Sequence, residues 1–289
     1  MALCNNCPRK CNIDRSLSNG FCGVKDEIKV ARAGLHFGEE PCISGTKGSG
    51  TIFFSGCPLK CVFCQNHEIS HNGFGQYISE NKFIEIVSSL EKIGAHNINL
   101  VTPTHYFCKL HDIFSKYKPS IPIVYNSSGY EKTENIEYDI ADIYLFDLKF
   151  FSREKSLRYA NCGDYFDVAV SAIKKAIEIK GKPIFDSDGI MKSGVIVRHM
   201  ILPQNTNESI ALIESISDLA NDIVFSLMSQ YTPLYKAEEY SEINRTITKR
   251  EYNKVLDKCF NLNFFEFYTQ KLNSATTKYI PKFDLSGII

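Results

Sequence analysis

The chain has 289 residues, 33 Lys and Arg against 33 Asp and Glu, a formal net charge of zero, and 11 cysteines. Balanced charge argues against a nucleic-acid binder, which needs a basic excess on one face. No run of about 18 apolar residues predicts a membrane span. The opening Met1-Ala2-Leu3-Cys4-Asn5 also lacks the apolar stretch of a signal peptide. The expectation is a cytoplasmic protein without membrane or nucleic-acid partners, whose thiols are metal ligands rather than disulfides.

Residues 1–45 are rich in Cys, Asn, Arg and Gly, and read as a metal-binding segment ahead of an α/β domain at 46–289. Cys4, Cys7, Cys11 and Cys22 stand at C-x2-C-x3-C-x10-C in a stretch too polar to fold alone. Four thiols there imply a metal staple, either zinc or a second iron–sulfur cluster, with Cys42 able to replace one of them. Cys108, Cys162 and Cys259 fall in or beside helical patterns and read as small core hydrophobes. The glycine-marked stretch 45–50 is a turn, because it lacks the phosphate-loop Lys and precedes a strand.

A buried strand is expected at 51–55. A helix follows, N-capped by Ser79, with Phe83, Ile86, Val87, Leu90 and Ile93 on one face and Gly94 as its stop. Strands are predicted at 97–101, 121–125, 143–146, 195–202 and 223–227, and helices near 105–117, 164–179 and 207–220. Thr248 and Glu251 form a capping box that opens a last helix. Six strand–helix repeats imply a parallel sheet curled into a barrel or part of one, a flat doubly wound sheet being the alternative. In either case function is expected at the carboxyl ends of the strands.

The first strand runs into Cys57, Cys61 and Cys64, spaced C-x3-C-x2-C in one tight loop. Zinc normally takes four ligands from paired knuckles. Three close thiols instead suit a [4Fe–4S] cluster held at three corners, its fourth iron open. With Phe63 before the last Cys, the loop resembles the signature of the radical S-adenosylmethionine (SAM) superfamily, whose partial or full barrel matches the repeats. The resemblance is closest to the PflX-like family named after pyruvate formate-lyase activating proteins. It rests on the stretches 39–45, 63–66, 97–105, 123–130, 197–199 and 226–231, and on Asp147-Leu148-Lys149. In glycyl-radical-enzyme activases an Asp-Leu-Lys at the end of strand four helps bind SAM. A Gly-Gly-Glu element of those activases is replaced here by Thr102-Pro103-Thr104-His105.

The resemblance implies a partial (β/α)6-type radical SAM barrel with a Cys-rich N-terminal extension. Cys57, Cys61 and Cys64 would hold the cluster, with Phe63, Thr102, Thr104, Asn126, Ser127, Asp147, Lys149, Arg198 and Gln230 around SAM. Several have plainer readings. Asn126 and Ser127 suit a turn before Gly129, His105 a helix start, and Gln230 a cap. Alternation puts Arg198 and His199 on opposite faces, Arg198 inward toward SAM's carboxylate and His199 as a satisfied core histidine. The implied activity is reductive cleavage of SAM to a 5′-deoxyadenosyl radical that abstracts hydrogen from a glycine of a glycyl-radical enzyme, without oxygen. The electron donor would be of the flavodoxin or ferredoxin class. Alternatives are radical chemistry on a small molecule or peptide, and a non-catalytic metal or redox-sensing protein.

Overall fold

A computed structural model of the protein describes residues 3–276 and 280–289. The strands are β1 (Lys29–His36), β2 (Ser49–Phe54), β3 (Gln76–Tyr77), β4 (Ile98–Val101), β5 (Ile123–Ser127), β6 (Ile143–Asp147), β7 (Ile184–Phe185), β8 (Met191–Met200), β9 (Val224–Met228) and β10 (Glu266–Thr269). The helices are α1 (Pro41–Ser44), α2 (His67–Ser70), α3 (Glu80–Lys92), α4 (Phe107–Phe114), α5 (Thr133–Ile136), α6 (Arg153–Ala160), α7 (Tyr165–Lys180), α8 (Thr206–Ser215) and α9 (Lys249–Cys259).

The described residues form one ten-stranded sheet in the order β10-β9-β8-β6-β5-β4-β2-β1-β3, with β7 paired to β8. From β10 to β2 every pairing is parallel. β1 then runs antiparallel to β2, and β3 antiparallel to β1. The two ends of the order do not pair, so the sheet is an open, partial barrel rather than a closed one. The six expected parallel strands are joined by a seventh, β10. β1 belongs to the segment 1–45, yet its ladder with β2 makes it part of the sheet.

Alternation divides each strand between two environments. Ile52, Leu100, Tyr125, Phe146, Val197 and Phe225 pack under the helices in the main core. Val124, Leu145, Ile196 and Val224 face the other way, into the concave interior. There they meet Cys42 and Ile43 of α1, which are 1% and 0% exposed. The short helix thus fills the amino-terminal end of the barrel. Asn97 fixes it by donating to the Ile43 carbonyl at 2.8 Å. Gly45, with φ +46, lets the chain turn where a Cβ would lie 2.4 Å from Ile190.

Local signals account for most of the helices. Ser79 caps α3 by accepting from the Lys82 N–H, and α9 opens with the full Thr248–Glu251 capping box. The C-terminal residues return to the first edge: Leu285 N–H donates to the Ala31 carbonyl and Ala33 N–H to that of Ser286. No helix among the described residues is long and apolar enough to cross a membrane.

Candidate active site

The loop after β2 begins at Gly56, whose φ of +86 only glycine adopts readily. It carries Cys57, Cys61 and Cys64 onto one cavity at the carboxyl ends of the strands. Main-chain bonds hold it on several sides: Cys57 N–H to the Cys22 carbonyl at 3.1 Å, Val62 N–H to Tyr159 at 2.9 Å, and Lys236 N–H to Val62 at 3.0 Å. Leu59 N–H points at the Cys57 sulfur at 3.4 Å, and Ser70 Oγ lies 3.2 Å from that of Cys64. Burial pushes the Cys61 and Cys64 thiols up, and the Lys149 ammonium opposes this at Cys61. Three soft sulfur donors in a mostly buried, cationically assisted loop fit an iron–sulfur cluster. Binding one would release their protons.

Opposite the loop lies a buried ionic network. The Arg198 Nε donates to Asp147 at 2.7 Å, Nη1 to Glu39 at 2.7 Å, and Nη2 to Asn126 Oδ1 at 3.0 Å. Glu40 is 3.5 Å from the same guanidinium, and Lys149 Nζ donates to Asp147 at 2.8 Å. Burial would raise the Asp147 carboxyl, but Arg198 and Lys149 outweigh it and hold it down at about 2. At Glu40 burial wins and the carboxyl is raised, with Oε2 left without a hydrogen-bond partner. Glu39 and Glu40 come from the connection before α1, not from a strand end. Arg198 faces the cavity with its three nitrogens already engaged, so it acts as the hub that positions Asp147, Glu39 and Asn126. Lys149 uses one of three donors on Asp147 and keeps two for a ligand.

The remaining expected residues divide. Thr102, Asn126, Ser127, Phe63 and Gln230 line the same cavity. Phe63 packs edge-on against Phe150, Tyr159 and Tyr231. Gln230 accepts from Gln270 Nε2 at 3.0 Å. Thr102 has φ +62, a strained conformation for a β-branched residue, at the end of β4. Thr104 is a correction. It is fully buried outside the cavity, and its hydroxyl donates to Glu131, which also accepts from Tyr125. The turn after Pro103 carries it away from the strand end. His199 lies on the helix side, between the Leu148 carbonyl at 2.7 Å and Ser209 Oγ at 2.9 Å, and burial lowers it to about 4. His105 is likewise buried, 2.8 Å from the Ser55 carbonyl, and lowered to about 3 by burial.

Burial raises Glu131 from 4.5 to about 7. The folded state therefore holds this proton more tightly than the unfolded chain. That contribution to stability is fully present below about pH 4.5 and is lost as pH rises through about 7. Glu131→Gln should remove the slope, gaining about 3 kcal/mol relative to the native chain between pH 4.5 and 8, at about 1.4 kcal/mol per pH unit. Urea unfolding at several pH values measures it; parallel curves for the two proteins would refute the assignment.

The Cys-rich segment packs beside the loop. Arg9 donates to the Pro58 carbonyl at 2.8 Å and to that of Asn161 at 2.8 Å. Cys42 lies in the barrel floor, apart from Cys4, Cys7, Cys11 and Cys22. Cys162 and Cys259 are buried, 1% exposed each, whereas Cys108 is exposed and donates to Asn6 Oδ1 at 3.0 Å, so it is no core residue. α4 presents it outward, toward the N-terminal segment.

Residues 51–216 match the Radical SAM superfamily. An uncharacterized protein of Methanocaldococcus jannaschii, MJ0674, is 32% identical over 265 residues, covering 88% of this chain and 73% of its own. Among solved structures, the FeFe-hydrogenase maturase HydG from Carboxydothermus hydrogenoformans matches with a TM-score of 0.48 and 12% identity, over 78% of this chain. The chain spans 59% of that maturase's length. HMG-CoA lyase from Brucella melitensis matches with a TM-score of 0.36 and 12% identity, over 67% of this chain and 74% of its own. The match over more than half the chain, together with the archaeal relative, places this protein in the Radical SAM superfamily.

Proposed function

We propose that Cys57, Cys61 and Cys64 hold the [4Fe–4S] cluster that membership of this superfamily implies, and that the adjoining cavity binds SAM. The observation that carries this is the convergence of the three thiols and the Asp147–Lys149 pair on one cavity. When bound, cluster and SAM supply an electron and a carbon-centred radical that abstracts hydrogen. The chain's own residues bind and orient. Lys149 presents its two free donors to the carboxylate of SAM. Glu39 and Asp147 present acceptors to its ammonium, and the Thr102 hydroxyl adds a polar contact, whereas that of Ser127 accepts from Gly129 N–H at 3.2 Å. Arg198 keeps Asp147 ionised and fixes both carboxylates in place. The ring set around Phe63 keeps the back of the cysteine loop dry, which strengthens each of these polar contacts.

The hydrogen donor in this reading is a glycine of a glycyl-radical enzyme, and the electron comes from a flavodoxin- or ferredoxin-class donor. The Asp147-Leu148-Lys149 sequence at the end of β6 supports it. Anaerobically reconstituted protein, given SAM and dithionite, should release 5′-deoxyadenosine. Addition of a glycyl-radical enzyme should then produce a glycyl-radical signal by electron paramagnetic resonance. Cleavage of SAM without any such signal would move the substrate to a small molecule or peptide. No cleavage under any reductant would overturn the proposed site altogether.

A further inference from the structure

The four N-terminal cysteines remain outside this account, and the fold brings them together. Cys4 pairs with the chain ahead of it, its N–H donating to Ile13 and its carbonyl accepting from Asn12. That hairpin sets Cys4 beside Cys11. The Cys7 carbonyl closes a turn by accepting from Lys10 N–H at 3.1 Å. Phe21 N–H points at the Cys11 sulfur at 3.4 Å, which places Cys11 next to Cys22. Arg15 spans the group, with Nη1 3.9 Å from the Cys4 sulfur and its stem beside Gly20, where the Cys22 sulfur also lies.

Arg15 supplies an independent observation. It is 4% exposed, and its other hydrogen bonds all go to the carbonyls of Val24, Lys25 and His105. Among the described residues no carboxylate lies within ion-pair distance of it. A buried guanidinium is hard to retain without a countercharge. The Cys4 sulfur lies 3.9 Å from its Nη1, and that of Cys22 lies with its stem against Gly20. An anionic metal–thiolate centre would provide the missing charge.

The choice between one ion and a cluster follows from a parallel with the loop after β2. The two sets share two features: three thiols within eight residues, C-x2-C-x3-C against C-x3-C-x2-C, and a main-chain N–H aimed at a sulfur at 3.4 Å. Zinc knuckles pair their cysteines two by two, whereas three close thiols suit a cubane, and Cys22 supplies its fourth corner. We infer that Cys4, Cys7, Cys11 and Cys22 bind a second [4Fe–4S] cluster, with Arg15 as its buried countercharge.

The test does not depend on SAM chemistry, so it can fail while the proposed active site stands, and the reverse. The full chain is reconstituted anaerobically with iron and sulfide beside a Cys57→Ala, Cys61→Ala, Cys64→Ala triple variant. The native chain should hold about eight irons and the triple variant about four, with matching sulfide and a signal in electron paramagnetic resonance on reduction. In Arg15→Gln the iron kept by the triple variant should be lost more readily to a chelator, because the countercharge is gone. About four irons in the native chain and none in a folded triple variant would overturn the inference, and so would one zinc and no iron in that variant. If the triple variant fails to fold, a Cys4→Ala, Cys7→Ala variant decides the matter: loss of about four of the native irons supports the inference, and an unchanged iron count overturns it.

Discussion

Arg198→Ala is expected to lower folding stability by about 3–5 kcal/mol at neutral pH, the usual cost of stripping one partner from a buried charge set. Arg198 is 14% exposed, and Glu39, Glu40 and Asp147 are 9, 6 and 19% exposed. Without it three carboxylates face Lys149 alone. The deficit must also depend on pH. Asp147, held down to about 2 from 3.8, stabilises the fold above 3.8 and ceases to do so as pH falls through about 2. The gap between native and variant should therefore narrow steadily below about pH 4. Arg198→Lys restores the charge but cannot reach Asp147, Glu39 and Asn126 together, and should recover only part of the loss. Urea unfolding of the three proteins across pH measures this. A deficit below about 1 kcal/mol, or one unchanged in acid, would show that the network is not held by its charges.

Gly56→Ala should destabilise the fold and loosen the cysteine loop together. A residue with a side chain at φ +86 costs about 1–2 kcal/mol in the backbone. Its Cβ would also lie 2.7 Å from Val24 Cγ2, 2.9 Å from the Cys22 carbonyl oxygen and 3.0 Å from His105 Nε2. The carbonyl is main chain and the imidazole is already bonded to Ser55, so neither yields cheaply. Overpacking of this kind adds about 1–3 kcal/mol. The total, about 2–5 kcal/mol, corresponds to a drop in Tm on the order of 5–15 °C for a chain of this size. The strain falls where the Cys22 carbonyl meets the Cys57 N–H, so the two cysteine sets should part first. Thermal unfolding with parallel iron analysis checks both effects. Native Tm together with native iron content would refute the close approach.

Much of the site was legible because parallel strands announce their own ends. Cys57, Thr102, Asn126, Asp147 and Gln230 all follow short apolar runs, and the fold places such residues on one rim. Alternation alone separated Arg198 from His199. Glu39 and Glu40 escaped because they belong to no strand end. They enter the barrel from the connection after an antiparallel strand, and no periodicity marks that path. Their one sequence signal was an acidic pair before Pro41. Thr104 misled for the opposite reason, since three residues past a strand end is far enough for a tight turn to reverse a side chain. α6 escaped as well, because its sequence is largely polar and it buries only Ser156, Tyr159 and Ala160. β10 is a four-residue edge strand, half exposed, with little pattern to read.

The short helix that fills the amino-terminal end of the barrel has an electrical consequence. A tube open at both ends would let water screen Glu39 from below. Here Cys42 and Ile43 form a stopper of low polarisability, and the sheet supplies walls of the same kind. Field lines from a charge at the bottom of such a well are confined and leave by its mouth. The ionic network of Arg198, Lys149, Glu39 and Asp147 is thus felt at the mouth with little screening from the amino-terminal end.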